Sequence, residues 1–229
     1  MNKGAAILRI GVLALQGDFA LHARALTRCG GASRGVSSDE ARPQSEIEVV
    51  EVRKPEQLED LDGLVMPGGE STTLLKLMDA WGFVPALEKF HAGGKPVFGT
   101  CAGLILLARE VASPAQFSLG LIDVGVERNA YGRQRESFEA TGTAMLDGRP
   151  APIEMVFIRA PRIRRVGDGV ETLARHAGEP VMARQGTILV ATFHPELTDD
   201  PTVHEYFCRM VAQSRAAGRR GVAPAEASR

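Results

Sequence analysis

Apolar positions follow two rhythms along this chain, and they alternate through its first half. Residues 7–15 are nearly all apolar, as in a strand covered on both faces. Gln16-Gly17-Asp18 breaks that run, and residues 19–28 then carry apolar positions at helical spacing, ending at Gly30-Gly31. Residues 47–52 alternate apolar with charged and predict a second strand. Pro55 opens a short helix through Leu58, and residues 63–66 form a third strand that breaks at Pro67-Gly68-Gly69. Helices are expected over 71–78 and 83–91, the latter stopped by Gly93-Gly94. Val97-Phe98 feeds a fourth strand, and the run with Leu104, Leu107 and Ala108 reads as the helix after it.

The second half has mostly the strand rhythm. Strands are expected over 125–128, 139–145, 153–158, 171–175, 181–184 and 187–193, with Gln185-Gly186 as a tight hairpin turn between the last two. Asp200 and Pro201 cap and open a last helix through Val203, Phe207 and Val211. Apolar strands alternating with helices argue for an α/β fold, a mostly parallel central sheet flanked by helices on both faces, with added antiparallel strands from the second half. Reactive groups in such sheets gather beyond the carboxyl ends of the strands. No repeat or composition shift marks a boundary, so one domain over about 1–214 is expected. Residues 32–45, polar and rich in Gly, Ser, Asp and Pro, read as a loop insertion, and 215–229 as a flexible tail.

Composition narrows the function. The 229 residues are 44% hydrophobic and 24% charged, ordinary for a soluble globular chain, and the formal net charge of −1 gives no electrostatic case for nucleic acid or an anionic membrane. No apolar run approaches the roughly 20 residues of a membrane span. Cys29, Cys101 and Cys208 are odd in number and lack metal-ligand spacing, so no metal is expected and the reducing cytoplasm is the natural compartment.

Three stretches carry candidate chemistry. Gly99-Thr100-Cys101-Ala102-Gly103 has the form of a strand–nucleophile–helix elbow with cysteine in the serine position. Its glycines let strand and helix pack closely, Cys101 stands at a helix N-terminus where free N–H groups favour negative charge, and the Ala102 N–H is an oxyanion donor. A buried structural cysteine is the plainer alternative. His194 follows an apolar strand directly, and Pro195 holds Glu196 beside it, so the carboxylate can orient the imidazole; an ordinary loop would read the same way. His22 and His91 in helical stretches and His176 in a polar hairpin read as surface histidines, and His204, in the first turns of the last helix, as half-exposed. Pro67-Gly68-Gly69-Glu70-Ser71-Thr72-Thr73 exposes backbone N–H groups before a helix, which could serve an oxyanion; alternatively Glu70 and Ser71 cap that helix.

Together, Gly-Thr-Cys-Ala-Gly, Pro-Gly-Gly-Glu-Ser-Thr-Thr and Phe-His-Pro-Glu-Leu resemble the class I glutamine amidotransferases. Gly11-Val-Leu-Ala-Leu-Gln-Gly-Asp, Val126-Glu-Arg-Asn-Ala-Tyr-Gly-Arg-Gln and Phe157-Ile-Arg-Ala-Pro narrow the resemblance to the family of glutaminase subunits of pyridoxal 5′-phosphate synthase. It implies the three-layer amidotransferase fold and hydrolysis of L-glutamine through a thioester on Cys101, with His194 as base then acid and Glu196 orienting it. It implies glutamine contacts at Gly69, Glu70, Ser71, Arg128, Ile158 and Arg159, and an oxyanion hole from Gly69 and Ala102. For Arg128 and Arg159 the residues alone would favour a solvated strand-end charge. It further implies no cofactor, and a partner in a large hetero-oligomer, the synthase subunit that receives the ammonia. The length of the 32–45 connection departs from the family. Another amidotransferase's glutaminase, a γ-glutamyl hydrolase and a catalytically silent domain of the same fold remain the alternatives.

Overall fold

The computed structural model describes residues 7–30, 46–128 and 137–220. The first half is built from β1 (Leu8–Leu13), α1 (Phe19–Gly30), β2 (Ile47–Val52), β3 (Gly63–Met66), α2 (Ser71–Ala80), α3 (Phe83–Ala92), β4 (Val97–Thr100) and α4 (Ala102–Leu107). The rest comprises β5 (Ala108–Ala112), β6 (Ile122–Glu127), β7 (Phe138–Leu146), β8 (Arg149–Phe157), β9 (Arg162–Val166), β10 (Glu171–His176), β11 (Glu179–Gln185), β12 (Ile188–Ala191) and α5 (Thr202–Arg220). Single 3₁₀ turns lie at Pro55–Leu58 and Pro195–Leu197.

Among the described residues, nine strands form the main sheet in the order β2-β1-β3-β4-β12-β11-β10-β7-β8. The pairings from β2 across to β12 are parallel, and those from β12 to β8 are antiparallel. The parallel strands β3, β4 and β12 are short and buried because both faces are covered, and successive residues point to opposite faces. Leu189 and Ala191 of β12 join a core with α1 and α5, whereas Ile188 and Val190 join a core with α2, α3 and α4. A second sheet of β5, β6 and β9 packs into the latter core through Val124, Val126 and Ile163.

Three features depart from the sequence expectation. The helix after Cys101 stops at Leu107, and Ala108 turns extended (φ −62°, ψ 153°) to begin β5. The arginine-rich β9 carries no alternating apolar signal, since only Ile163 within it is fully buried. The last helix continues to Arg220, into the stretch expected as a tail from 215. The expected loop at 32–45 and residues 221–229 of the tail lie outside the described residues, as does most of the segment after Arg128.

Parallel strands β1, β3, β4 and β12 all end at one edge of the sheet. Gln16, the Pro67–Glu70 turn, Cys101 and His194 follow those four ends.

Candidate active site

The elbow is built as its glycines require. Cys101 has φ 48° and ψ −101°, strained for a side-chain-bearing residue, and its N–H donates to Ala191 O of β12 at 2.9 Å. A Cβ on Gly99 would lie 2.7 Å from the Gly103 carbonyl carbon, and one on Gly103 would lie 2.1 Å from Met66 O. Strand and helix therefore cross at a distance that only glycine permits. Cys101 is 7% exposed.

His194 follows β12, and its N–H donates to Val156 O of β8 at 2.8 Å. Pro195 starts the 3₁₀ turn that brings Glu196 back, and Glu196 Oε1 lies 2.8 Å from His194 Nδ1. The ring also meets the Cys101 thiol. Burial disfavours the imidazolium, but the contacts with Cys101 and Glu196 outweigh it and raise the His194 pKa to about 10. Burial likewise disfavours the Glu196 carboxylate, yet His22 and His194 hold its pKa well below the usual range. An ionised carboxylate facing a protonated imidazole is the charge pattern of an oriented base.

The glycine turn closes over this pair. A Cβ on Gly68 would fall 2.4 Å from His194 Cε1 and 3.3 Å from Cys101 Cβ, so the backbone lies directly against both groups. Gly69 has φ 143°, a glycine conformation, and Gln16 braces it: Gln16 Oε1 accepts from Glu70 N at 3.0 Å.

Glu70 caps α2. Its oxygens accept from Thr72 N at 3.2 Å and Thr73 N at 2.6 Å, and although burial works the other way, these bonds lower its pKa. Ser71 is buried, with its hydroxyl 3.2 Å from Gln116 Oε1. Arg128, at the end of β6, is no solvated charge: its side chain is 11% exposed, its Nη2 donates to Thr72 Oγ1 at 2.9 Å and lies 3.7 Å from Glu70 Oε1. Ile158 and Arg159 follow β8 beside the His194 strand end; Ile158 is half-buried, and Arg159 is exposed with φ 44°.

Two residues expected to be solvent-facing are instead part of this centre. His22 of α1 and His204 of α5 are both fully buried. His22 Nε2 lies 3.2 Å from Glu196 Oε2 and 3.1 Å from Thr100 Oγ1, and His22 Nδ1 lies 3.0 Å from His204 Nε2. The signal was in the sequence: each occupies an apolar helical position, His22 between Phe19 and Leu26, His204 before Phe207 and Val211. Gln116 was missed as well, because its position depends on a loop between β5 and β6 that periodicity does not resolve. Asp18, His194 and Glu196 bring donor atoms within 4.8 Å of one another, but His194 and Glu196 are already bonded together, an unfavourable start for a cation site.

The arrangement can hold a thiol against an oriented imidazole, beneath backbone N–H groups, beside an arginine–glutamate pair. The SNO glutamine amidotransferase family matches this chain over residues 12–213. A pyridoxal 5′-phosphate synthase subunit PdxT of Koribacter versatilis is 53% identical over 89% of this chain and 96% of its own length. One from a Geobacillus species is 49% identical over 92% and 100%. A crystal structure described as a glutamine amidotransferase superposes with a TM-score of 0.75 at 46% identity, covering 89% of this chain and 98% of its own. At 14% identity, a chain of the PurLQS structure from Thermotoga maritima shares the fold with a TM-score of 0.58, covering 94% of this chain and 99% of its own.

Proposed function

The chain belongs to the SNO glutamine amidotransferase family, and we propose that it is the glutaminase subunit of a pyridoxal 5′-phosphate synthase, hydrolysing L-glutamine to glutamate and ammonia. The observation that carries the reading is the continuous Cys101–His194–Glu196 contact at the carboxyl edge of the parallel strands.

In this reading the Cys101 sulfur, its proton held by His194, attacks Cδ of the glutamine carboxamide. The negative charge on the carboxamide oxygen is met by the N–H groups of Ala102 and Gly69. His194 passes its proton to the nitrogen, the C–N bond breaks, ammonia leaves and a glutamyl thioester remains. Water then gives a proton to His194 and adds to the thioester, and collapse releases glutamate and returns the thiol. Glu196 keeps the His194 proton on Nδ1 and offsets the imidazolium charge in both halves.

The α-carboxylate of glutamine suits Arg128 or Arg159, and its ammonium suits Glu70, whose oxygens keep free lone pairs beside their capping bonds. Ser71 and Ile158 would complete the pocket wall. No step calls for a metal or an organic group.

We read the described residues as one glutaminase domain, a view supported by a sheet whose order interleaves strands from both halves of the chain. Ammonia is a useful product only if captured, which supports partnership with a synthase subunit within a hetero-oligomer. Cytoplasmic residence suits the three free cysteines, and no helix among the described residues is long and apolar enough to cross a membrane. Cys101 and His194 are nearly closed to solvent, which supports low activity in the lone subunit until a partner orders the turn at Gly68 and Gly69.

The test is ammonia release from L-glutamine by the purified chain, alone and mixed with the synthase partner that makes pyridoxal 5′-phosphate. Activity that rises with the synthase and vanishes in Cys101→Ala is expected. Activity indifferent to the synthase would point to another amidotransferase complex, and no activity in either mixture would overturn the glutaminase reading.

A further inference from the structure

Glu196 has two oxygens, and the chemistry proposed above uses one. Oε1 faces His194 Nδ1, whereas Oε2 is wholly buried and makes no well-aligned hydrogen bond among the described residues. A buried carboxylate oxygen without a donor is costly. The polar hydrogen nearest to meeting that need belongs to His22, whose Nε2 is 3.2 Å away.

The proton positions follow from the far end of the chain of contacts. His204 Nδ1 is buried with no partner among the described residues, and Phe98 packs edge-on to both the His22 and His204 rings. An orphaned buried N–H is rarer than an orphaned acceptor, so the His204 proton belongs on Nε2. His204 Nε2–H then donates across 3.0 Å to His22 Nδ1. With Nδ1 accepting, the neutral His22 ring carries its proton on Nε2, toward Thr100 and Glu196. Burial lowers the His204 pKa to about 3, which suits a neutral donor.

We propose that His22 is a positioning residue for the reaction: its Nε2–H, fixed in that tautomer by His204, is shared between Thr100 Oγ1 and Glu196 Oε2 and holds the carboxylate with Oε1 on His194. The inference rests on the reading of Cys101, His194 and Glu196 as the catalytic groups. It extends the orienting chain from the sheet edge through α1 to α5, so that helix packing sets the aim of the imidazole. Among the described residues, the charged and titratable groups facing His22 are Glu196 beyond the end of β12 and His204 on α5. Behind them lie His194, Asp18 at the start of α1, and Arg28, whose charge reaches His204.

The test compares His22→Leu with His22→Gln in the full chain assembled with its synthase partner. His22→Gln keeps an N–H near the Nε2 position, and His22→Leu removes it. His22→Leu should lower kcat about tenfold to a hundredfold, the range in which supporting partners of a reactive group act. KM for glutamine should change less than about twofold, since His22 does not touch the substrate pocket. The acid limb of kcat should move to higher pH, because Glu196 would protonate more readily, and His22→Gln should recover most of the loss. Equal losses in both variants, or a wild-type kcat and acid limb in His22→Leu, would overturn the proposal. Nitrogen NMR of the imidazoles in the wild-type chain is independent of glutaminase activity. It should show His22 neutral with the proton on Nε2; a proton on Nδ1 alone would overturn the proposal even if the chain proved inactive on glutamine.

Discussion

Gly68 shows how little room the reactive centre leaves at the residue scale. A methyl group there would fall 2.4 Å from His194 Cε1, forcing the ring or the turn to shift. Gly68→Ala should lower glutaminase kcat by about a hundredfold, the cost of misplacing a reacting group by ~1 Å. Wild-type turnover in that variant would mean the turn does not overlie the reacting atoms. His194 gives a second prediction. Its pKa is raised to about 10, so the stability from its pairing is complete below the free value of 6.5 and is lost as pH rises through 10. Activity that depends on the protonated ring should therefore hold through neutral pH and fall near pH 10; an alkaline limb near 7 in a pH–rate profile would contradict this. Cys101, His194 and Glu196 were legible in the sequence because each sits in a short motif whose backbone dictates its neighbours. His22 and His204 were not, since their meeting depends on α1 and α5 packing on one sheet face, and single-helix periodicity reports burial without naming what lies opposite.

Among elements, the β4–α4 crossing depends on Gly99 and Gly103. Gly103→Ala would set a Cβ 2.1 Å from the Met66 carbonyl oxygen, a backbone atom of β3 that cannot step aside. It should cost about 1–3 kcal/mol or more, typical of overpacking, read as a lower denaturant midpoint at unchanged slope. Unaltered stability would show that α4 can pivot away from β3. The parallel strands and their helices were legible because β3, β4 and β12 are mostly apolar and buried throughout and α1 and α3 end at glycine. β5 was hidden because Ala108 to Ala112 continues a leucine-rich helix without a break residue. β9 was hidden because its outward positions are arginines held by Glu127, Glu179 and Asp123, so cross-strand ion pairs stand where alternating apolar residues would.

For the whole molecule, two buried groups tie stability to pH in the same direction. The Glu196 pKa is depressed, so the stability it contributes is present above about 4.5 and is lost as pH falls. His204 is lowered from 6.5 to about 3, so between these values the unfolded chain binds a proton that the folded chain excludes, and stability again falls with pH. Melting temperature should drop as pH goes from 7 to 4, and His204→Gln, which removes one of the two sources, should drop less. An equal fall in both would show that His204 takes up its proton without unfolding. The three-layer sandwich was foreseeable from the order of strand and helix rhythms. The strand order was not, since inserting β12 beside β4 is a long-range choice made by the two cores.

The most direct test of the central claim is intact-mass and peptide mapping after exposure to a chloroketone analogue of glutamine. Cys29 and Cys208 are buried in the core between α1 and α5 and serve as internal controls. One adduct on Cys101, slowed by excess L-glutamine and absent from Cys101→Ala, is the predicted result. Labelling at Cys29 or Cys208 instead, or labelling of Cys101 that glutamine does not slow, would contradict a glutamine site built around this cysteine.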